Sequence, residues 1–426
     1  MITAEQNRLL TETGPGTAGG KLLRQYWNPI AKSSDFPTGG APVPIRILSE
    51  DLVLFRDEAG RIGLLGRLCS HRRADLSYGR LEDGGLRCLY HGWLYDVHGR
   101  CLDQPAEPAN SNLKCDVKHK AYPCKEVSGL IFTYMGEGEP PVLPEYEFLR
   151  QAPDHCMLTK TYLECNWLQA LEGNIDPSHL SYLHRPVRPL DARAVPGSTQ
   201  SADAYYREDT RPTLEYDRTD YGLRVYSVRK SGEHEKYVRI TNFIMPNKVA
   251  IVGNEGRIGQ GYQVNWHTPI DDTHHLRFDI AFNRVKPFDP VTDRKKNMAD
   301  ISPDGHPLRN QGNRYLQDRE EMLTKNYSGM GPNFLIHDAF AVETAGPIHD
   351  RTQEFLGFTD VIIVAARKQL LDGIAAVQQG KPPLHAIRDA SEADMSHLVV
   401  RSEVMPAETD HRTIWEKPAP APAPIA

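Results

Sequence analysis

Two short motifs limit what this chain can become. Cys69-x-His71 and Cys88-x-x-His91 stand sixteen residues apart in "CSHRRADLSYGRLEDGGLRCLYHGW" (69–93), and each joins one sulfur to one imidazole. Zinc fingers usually pair Cys with Cys and His with His. A loop offering one of each suits a two-iron centre, in which one iron takes both thiolates and the other both imidazoles. Neutral imidazoles in place of two anionic ligands raise the reduction potential relative to an all-Cys cluster. Gly92 and Trp93 fit a tight turn whose backbone donors and aromatic ring would shield the sulfurs. Cys69, His71, Cys88 and His91 therefore predict an iron–sulfur centre, with zinc as the competing metal. The seven cysteines form an odd set in a chain with no export signal at its N-terminus, which favours thiols or ligands over a disulfide framework. Cys101, Cys115, Cys124, Cys156 and Cys165 lack partners at ligand spacing and are expected to be small buried residues.

The 426 residues suffice for two domains. A formal net charge of −6 argues against nucleic acid as the main partner, because no basic excess is present to neutralise phosphates. No apolar run reaches bilayer length, so no membrane association and a cytoplasmic location are expected. "VIIVAA" (361–366) reads as a buried strand.

Residues 1–12 read as a short helix with Thr3 and Gln6 forming a capping box. "TGPGTAGG" (13–20) reads as a flexible turn, since no strand precedes its glycines. From about 25 to 145, short strands alternate with turns such as "DEAG" and "EDGG", predicting a small all-β module with "EGEPPVLPEYE" as its exit linker. A helical segment follows at roughly 163–185, then alternating strands. In the last of these Leu276, Phe278, Ile280 and Phe282 share one face. A long polar connection (284–312) precedes helices at about 313–325 and 366–379. The expected fold class is α+β: an all-β N-terminal domain followed by a helix-grip domain, an antiparallel sheet with helices against it. The boundaries are 1–24 for the N-terminal helix and linker, 25–147 for the cluster domain, 148–412 for the second domain and 413–426 for a disordered tail.

"WLQALEGNIDPSHLSYLHRP" (167–186) contains Asp176-x-x-His179-x-x-x-x-His184. Two imidazoles and one carboxylate on one face of Fe(II) leave positions open for oxygen and substrate. Together with the upstream Cys/His loops, this segment resembles the Rieske non-haem iron oxygenases, and "EGNIDPSH" is most similar to the phthalate dioxygenase-type α subunits. The resemblance extends through "GPIHDRTQEFLGFTD". It implies a Rieske [2Fe–2S] cluster on Cys69, His71, Cys88 and His91, and a mononuclear Fe(II) on His179 and His184. Asp176 then is not a ligand: it bridges an iron-bound histidine to the partner subunit's His91 and carries the electron, which makes function depend on a homotrimer or stacked trimers. The third ligand is expected to be Asp338, followed five residues later by Glu343, with Asp350 and Asp360 as rivals. O-demethylating members carry an Asn three residues before the Asp, where this chain has Gly173.

Phthalate-type enzymes act mostly on aromatic carboxylates. In "KYVRITNFIMPN", period-two alternation puts Tyr237, Arg239, Thr241 and Phe243 on one face, a mixture suited to a pocket wall. By resemblance Arg239 binds a substrate carboxylate. A second arginine expected near Thr213 is absent, with Arg211 two residues away. No flavin or nicotinamide fingerprint appears, so a separate NAD(P)H-dependent reductase with a flavin and a ferredoxin-type centre is the implied partner. Arg67, Arg72, Arg73 and Arg87 around the cluster loops form a candidate docking patch for an acidic donor. The expected activity is hydroxylation of an aromatic acid such as a phthalate, benzoate or phenoxybenzoate, either as cis-dihydroxylation or leading to loss of an ether substituent. The competing classes are a purely electron-transferring Rieske protein and a zinc-stabilised interaction protein.

Overall fold

A computed structural model describes residues 2–187, 199–253, 260–289 and 299–416. The N-terminal third holds three small antiparallel sheets. Trp27–Lys32 pairs with Leu130–Tyr134, which pairs with Cys124–Val127. Val43–Ile47, Glu50–Arg56, Ile62–Gly66 and Ala121–Tyr122 form the second sheet, and Arg80–Glu82, Gly85–Arg87, Leu94–Tyr95 and Cys101–Asp103 the third. Their inward residues, among them Val53, Phe55, Leu65, Leu86 and Tyr95, close a core around Cys69 and Cys88.

The second domain is built on an eight-stranded antiparallel sheet. Its order is Cys156–Leu163, His275–Phe282, Gln263–Pro269, Lys248–Ile251, Glu235–Ile244, Gly222–Ser231 and Thr213–Arg218, with Ser402–Pro406 paired to the start of Glu235–Ile244. Helices Trp167–Ile175 and Val361–Gln378 pack against it through Trp167, Leu168, Leu171, Ile362, Ala366 and Leu370. Alternation along His275–Phe282 is as the sequence implies: Phe278, Ile280 and Phe282 are buried in a core that also takes Phe132 and Trp266. Among the described residues no helix is long and apolar enough to cross a membrane.

Several local expectations change. The Thr3–Gln6 capping box is present, but the Gly-rich link is not a flexible turn. Its last residues open helix Ala18–Leu23, capped by Thr17, and a Cβ on Gly19 would come within 2.5 Å of the Leu9 carbonyl oxygen. Glycine is needed there for close backbone approach.

"VIIVAA" is the first turn and a half of helix Val361–Gln378, not a strand. Ile362, Ile363, Ala365 and Ala366 are buried while Val361 and Val364 face outward, a helical period that a short apolar run does not reveal by itself.

The helix expected over 163–185 covers only Trp167–Ile175. It is N-capped by Asn166 and ends at Asp176, whose backbone is extended (ψ 115°), as a residue before Pro177 prefers. The helix expected at 313–325 splits into a 3₁₀ turn, Gln311–Leu316, and helix Arg319–Thr324. The break holds Tyr315 at φ 55° and lets its hydroxyl donate to Glu343 Oε2 at 2.6 Å. Residues 413–416 are not a free tail: they end the 3₁₀ turn His411–Glu416, and Ile414 is buried against Tyr226, Val238 and Ile240. The remainder of the expected tail, 417–426, lies outside the described residues, as does 290–298 of the polar connection.

Candidate active site and metal centres

The two cluster motifs sit on neighbouring turns. In the first, the Cys69 N–H donates to Ala74 O and the Arg73 N–H to Cys69 O; in the second, the Cys88 N–H donates to Trp93 O and the Gly92 N–H to Cys88 O, each at 2.8 to 3.0 Å. Gly92 has φ +74°, and a Cβ on it would meet Pro105 Cγ at 2.7 Å, so this turn requires glycine. Cys69 and Cys88 are buried side by side. Burial pushes the Cys88 thiol up, and the Tyr90 and His91 amides that donate to it pull the other way. The His71 and His91 rings lie 4.4 Å apart between centroids. His71 Nδ1 is buried with no hydrogen-bond partner among the described residues, as suits a nitrogen reserved for a metal. Two adjacent thiols beside two adjacent imidazoles match the donor set of a Rieske cluster. Trp93 stacks on the His71 ring at 4.5 Å and shares a buried cluster with Cys69 and Cys88. The Tyr95 hydroxyl also reaches Cys69 Sγ, at 3.2 Å.

Of the four nearby arginines, two are occupied internally. Arg67 pairs with Asp75 at 2.6 Å, and Arg87 with Glu82, Asp83 and Asp103. Arg72 and Arg73 are exposed, and among the described residues neither makes an ion pair. Of the other cysteines, Cys101 and Cys165 are buried, while Cys115 is exposed on a short helix, contrary to expectation.

The second centre forms where helix Trp167–Ile175 breaks. The Asp176 carboxylate accepts from the Ser178 N–H at 2.6 Å and the His179 N–H at 3.2 Å, fixing the turn that presents His179. Asp176 Oδ2 also lies 3.5 Å from His179 Nδ1. Helix Phe334–Glu343, capped by Asn333, brings Asp338 to the same point. His184 Nε2 is 3.0 Å from Asp338 Oδ1, and ligand atoms of His179, His184 and Asp338 all lie within 4.8 Å of one another. Asp350 and Asp360 are elsewhere, accepting from Thr352 and from the Gly357 N–H. Burial opposes ionisation of Asp338, but His184 and Arg277 outweigh it and hold the carboxyl well below its usual range. Burial pushes His184 down to about 4, so the ring stays neutral at physiological pH, as a ligand must be. Two neutral-capable imidazoles and an ionised carboxylate fit a ferrous ion.

The three residues open onto a cavity of about 250 Å³. Arg239 and Thr241 line it. Tyr237, expected beside them, instead stacks on Tyr205 at 4.5 Å, and Phe243 enters the core under the helices. Arg239 Nη1 donates to the Tyr206 hydroxyl at 2.7 Å and Nη2 to Val252 O at 3.0 Å. Arg211 is exposed and does not line the cavity.

Sequence reasoning missed Arg277, which donates to Asp338 Oδ2 at 3.1 Å and to Asp279 at 2.8 Å. The signal was available: Arg277 and Asp279 alternate with the core residues of His275–Phe282 and so face the cavity. Asn174 was also missed. Its Oδ1 accepts from Asn265 at 2.9 Å and faces His267 Nε2 at 2.9 Å, and nothing in the local pattern marks it.

Comparison with known proteins identifies the family. The Rieske [2Fe-2S] domain family matches residues 26–123 and the LigXa C-terminal domain-like family residues 133–419. The chain belongs to the Rieske non-haem iron oxygenases; it is an oxidoreductase whose cofactors are a Rieske [2Fe–2S] cluster and a mononuclear iron.

Within that class it is an oxygenase subunit of the phthalate dioxygenase type. It is 35% identical to the phthalate 4,5-dioxygenase oxygenase subunit of Pseudomonas putida over 97% of this chain and 94% of the relative. It is 32% identical to the 3-chlorobenzoate-3,4-dioxygenase oxygenase subunit of Comamonas testosteroni over 88% and 89%. The 5,5'-dehydrodivanillate O-demethylase oxygenase subunit of a Sphingobium is 33% identical over 91% and 84%. Among solved structures, the oxygenase of carbazole 1,9a-dioxygenase in complex with its ferredoxin superimposes with a TM-score of 0.55 at 22% identity, covering 86% of this chain and 93% of that one. NdmA of Pseudomonas putida CBB5 with caffeine gives 0.58 at 20%, covering 86% and 96%. These structures share the fold.

Proposed function

We propose that this protein is the terminal oxygenase of a multicomponent system that hydroxylates an aromatic carboxylate. The observation that carries the reading is one cavity with His179, His184 and Asp338 at one wall and the buried guanidinium of Arg239 at another. His179, His184 and Asp338 hold the iron, which supplies dioxygen activation when bound. Arg239, steadied by Tyr206 and Val252 O, fixes the substrate carboxylate through a charge-assisted bond. Met157, Ile251, Phe334 and Leu335 give the aromatic ring an apolar seat that keeps bulk water out.

Phthalate and chlorobenzoate oxygenase subunits as relatives support an acidic aromatic ring as the substrate. The overall change is cis-dihydroxylation: the ring gains both atoms of O₂ with two electrons and two protons. The electrons come from a separate NAD(P)H-dependent reductase carrying a flavin and a ferredoxin-type centre. The chain acts as a homotrimer or stacked trimers, in which Asp176 connects its own His179 to the partner subunit's His91. Mixing two inactive chains, His91→Ala and His179→Ala, restores turnover if electrons cross between subunits, and leaves the mixture inactive if they do not.

Oxidative O-dealkylation is the second reading, favoured by likeness to an O-demethylase subunit. Oxygen uptake with a surrogate reductase, run across benzoates, phthalates, phenoxybenzoates and methoxybenzoates, decides between them. A cis-diol product supports the first, and released formaldehyde the second. Turnover confined to uncharged aromatics would remove the carboxylate from the reading.

A further inference from the structure

His184 is gripped on both ring edges by consecutive residues of one helix. Asp338 Oδ1 faces its Nε2 at 3.0 Å. His337 Nδ1 faces its Nδ1 at 3.3 Å. His337 is fully enclosed (1% exposed), and its Nε2 lies 2.9 Å from Gly331 O. A carbonyl oxygen only accepts, so a neutral His337 ring that donates to Gly331 O carries its single proton on Nε2. Its Nδ1 therefore presents a lone pair. In the metal-binding form the facing His184 Nδ1 carries that ring's proton, which leaves the Nε2 lone pair for a cation beside Asp338 Oδ1. Two lone pairs 3.0 Å apart oppose each other unless a cation joins them.

We infer that His337 is a positioning residue: it receives the His184 Nδ1 proton, with Gly331 O fixing its own tautomer, and so holds His184 in the metal-binding form. This rests on the reading of His179, His184 and Asp338 as the iron site. The other two residues of that site have their own outer partners, Asp176 beside His179 and Arg277 on Asp338 Oδ2. His337 completes the set, and outer partners of this kind typically change metal affinity by about 10- to 100-fold. Phe334, stacked on His184 at 4.6 Å, adds ring packing but no acceptor.

The test uses the full chain with its cluster in place. The mononuclear site is emptied by chelation and titrated anaerobically with Fe(II). His337→Phe keeps a ring but removes both nitrogens, and binding should weaken about 10- to 100-fold. His337→Asn, whose Oδ1 stands near the lost Nδ1, should recover most of the affinity. The visible spectrum of the cluster should be the same in all three proteins. In the parent loaded with Zn(II), ¹⁵N shifts of His337 should place its proton on Nε2, a readout needing no variant. Equal Fe(II) affinity in parent and His337→Phe, or a His337 proton on Nδ1, overturns the inference while leaving the iron site standing. A parent that binds no Fe(II) beyond the cluster overturns the site reading and this inference together.

Discussion

At the cluster, four donors arrive on two tight turns within one small β domain, and each Cys–His spacing is set by a few backbone hydrogen bonds. At the cavity, His184 meets a helix whose first contacting residue, His337, lies 153 residues further along the chain. The cluster set is locally encoded and needs only its own turns. The cavity set depends on the sheet, on helices packed against it and on the buried ion pairs that hold those helices. Glu172 sits one turn before Asp176 and binds Arg351 at 2.9 Å and Arg367 at 2.7 Å, tying the site helix to the C-terminal helix. Damage far from the iron should therefore disturb the cavity and spare the cluster.

The sharpest separation comes from removing a donor on each side. His184→Ala should abolish mononuclear iron binding and product formation while the cluster spectrum stays intact. Cys69→Ser should remove the cluster colour and leave Fe(II) binding at the second site, both read as iron per chain. If either change emptied both centres, the two regions would not be independent.

Next in size is Glu172→Gln, which leaves two buried guanidiniums short of a partner and should cost roughly 3–5 kcal/mol in unfolding free energy. Burial opposes ionisation of Glu172, but Arg351 and Arg367 hold it below its ordinary value of 4.5. Its contribution is thus full above pH 4.5 and is lost as pH falls through the lower folded value. Denaturant melts should show the parent losing stability over that acid window and the variant losing less. Equal slopes would break the link between this ion pair and the site helix.

Arg239→Ala should raise KM for an aromatic carboxylate roughly 10- to 100-fold, the worth of one charge-assisted hydrogen bond of about 1.5–3 kcal/mol, with metal content unchanged. Steady-state oxygen uptake checks this, and an unaltered KM would remove Arg239 from recognition. The smallest effect is expected at the exposed cluster face. Arg72→Glu with Arg73→Glu should slow reduction by the donor about tenfold at low salt and less at high salt. The corresponding change at Arg67 would break an internal pair with Asp75 and act on stability instead.

Covalent proximity determined much from sequence alone. Cys69, His71, Cys88 and His91 were legible because a few residues of spacing bring each donor pair onto one turn. Asp176, His179 and His184 were legible because they lie on one short segment, and the strands because side chains alternate faces whatever the rest of the chain does. Tertiary structure decided the rest. It placed Asp338, and neither Asp350 nor Asp360, beside the histidines. It turned "VIIVAA" into a helix by burying one side of it, broke the site helix at Asp176, and set Arg277 against Asp338 and His337 against His184. Those outcomes depend on which distant surfaces bury against each other, and the free energy of that burial is not carried by any local pattern.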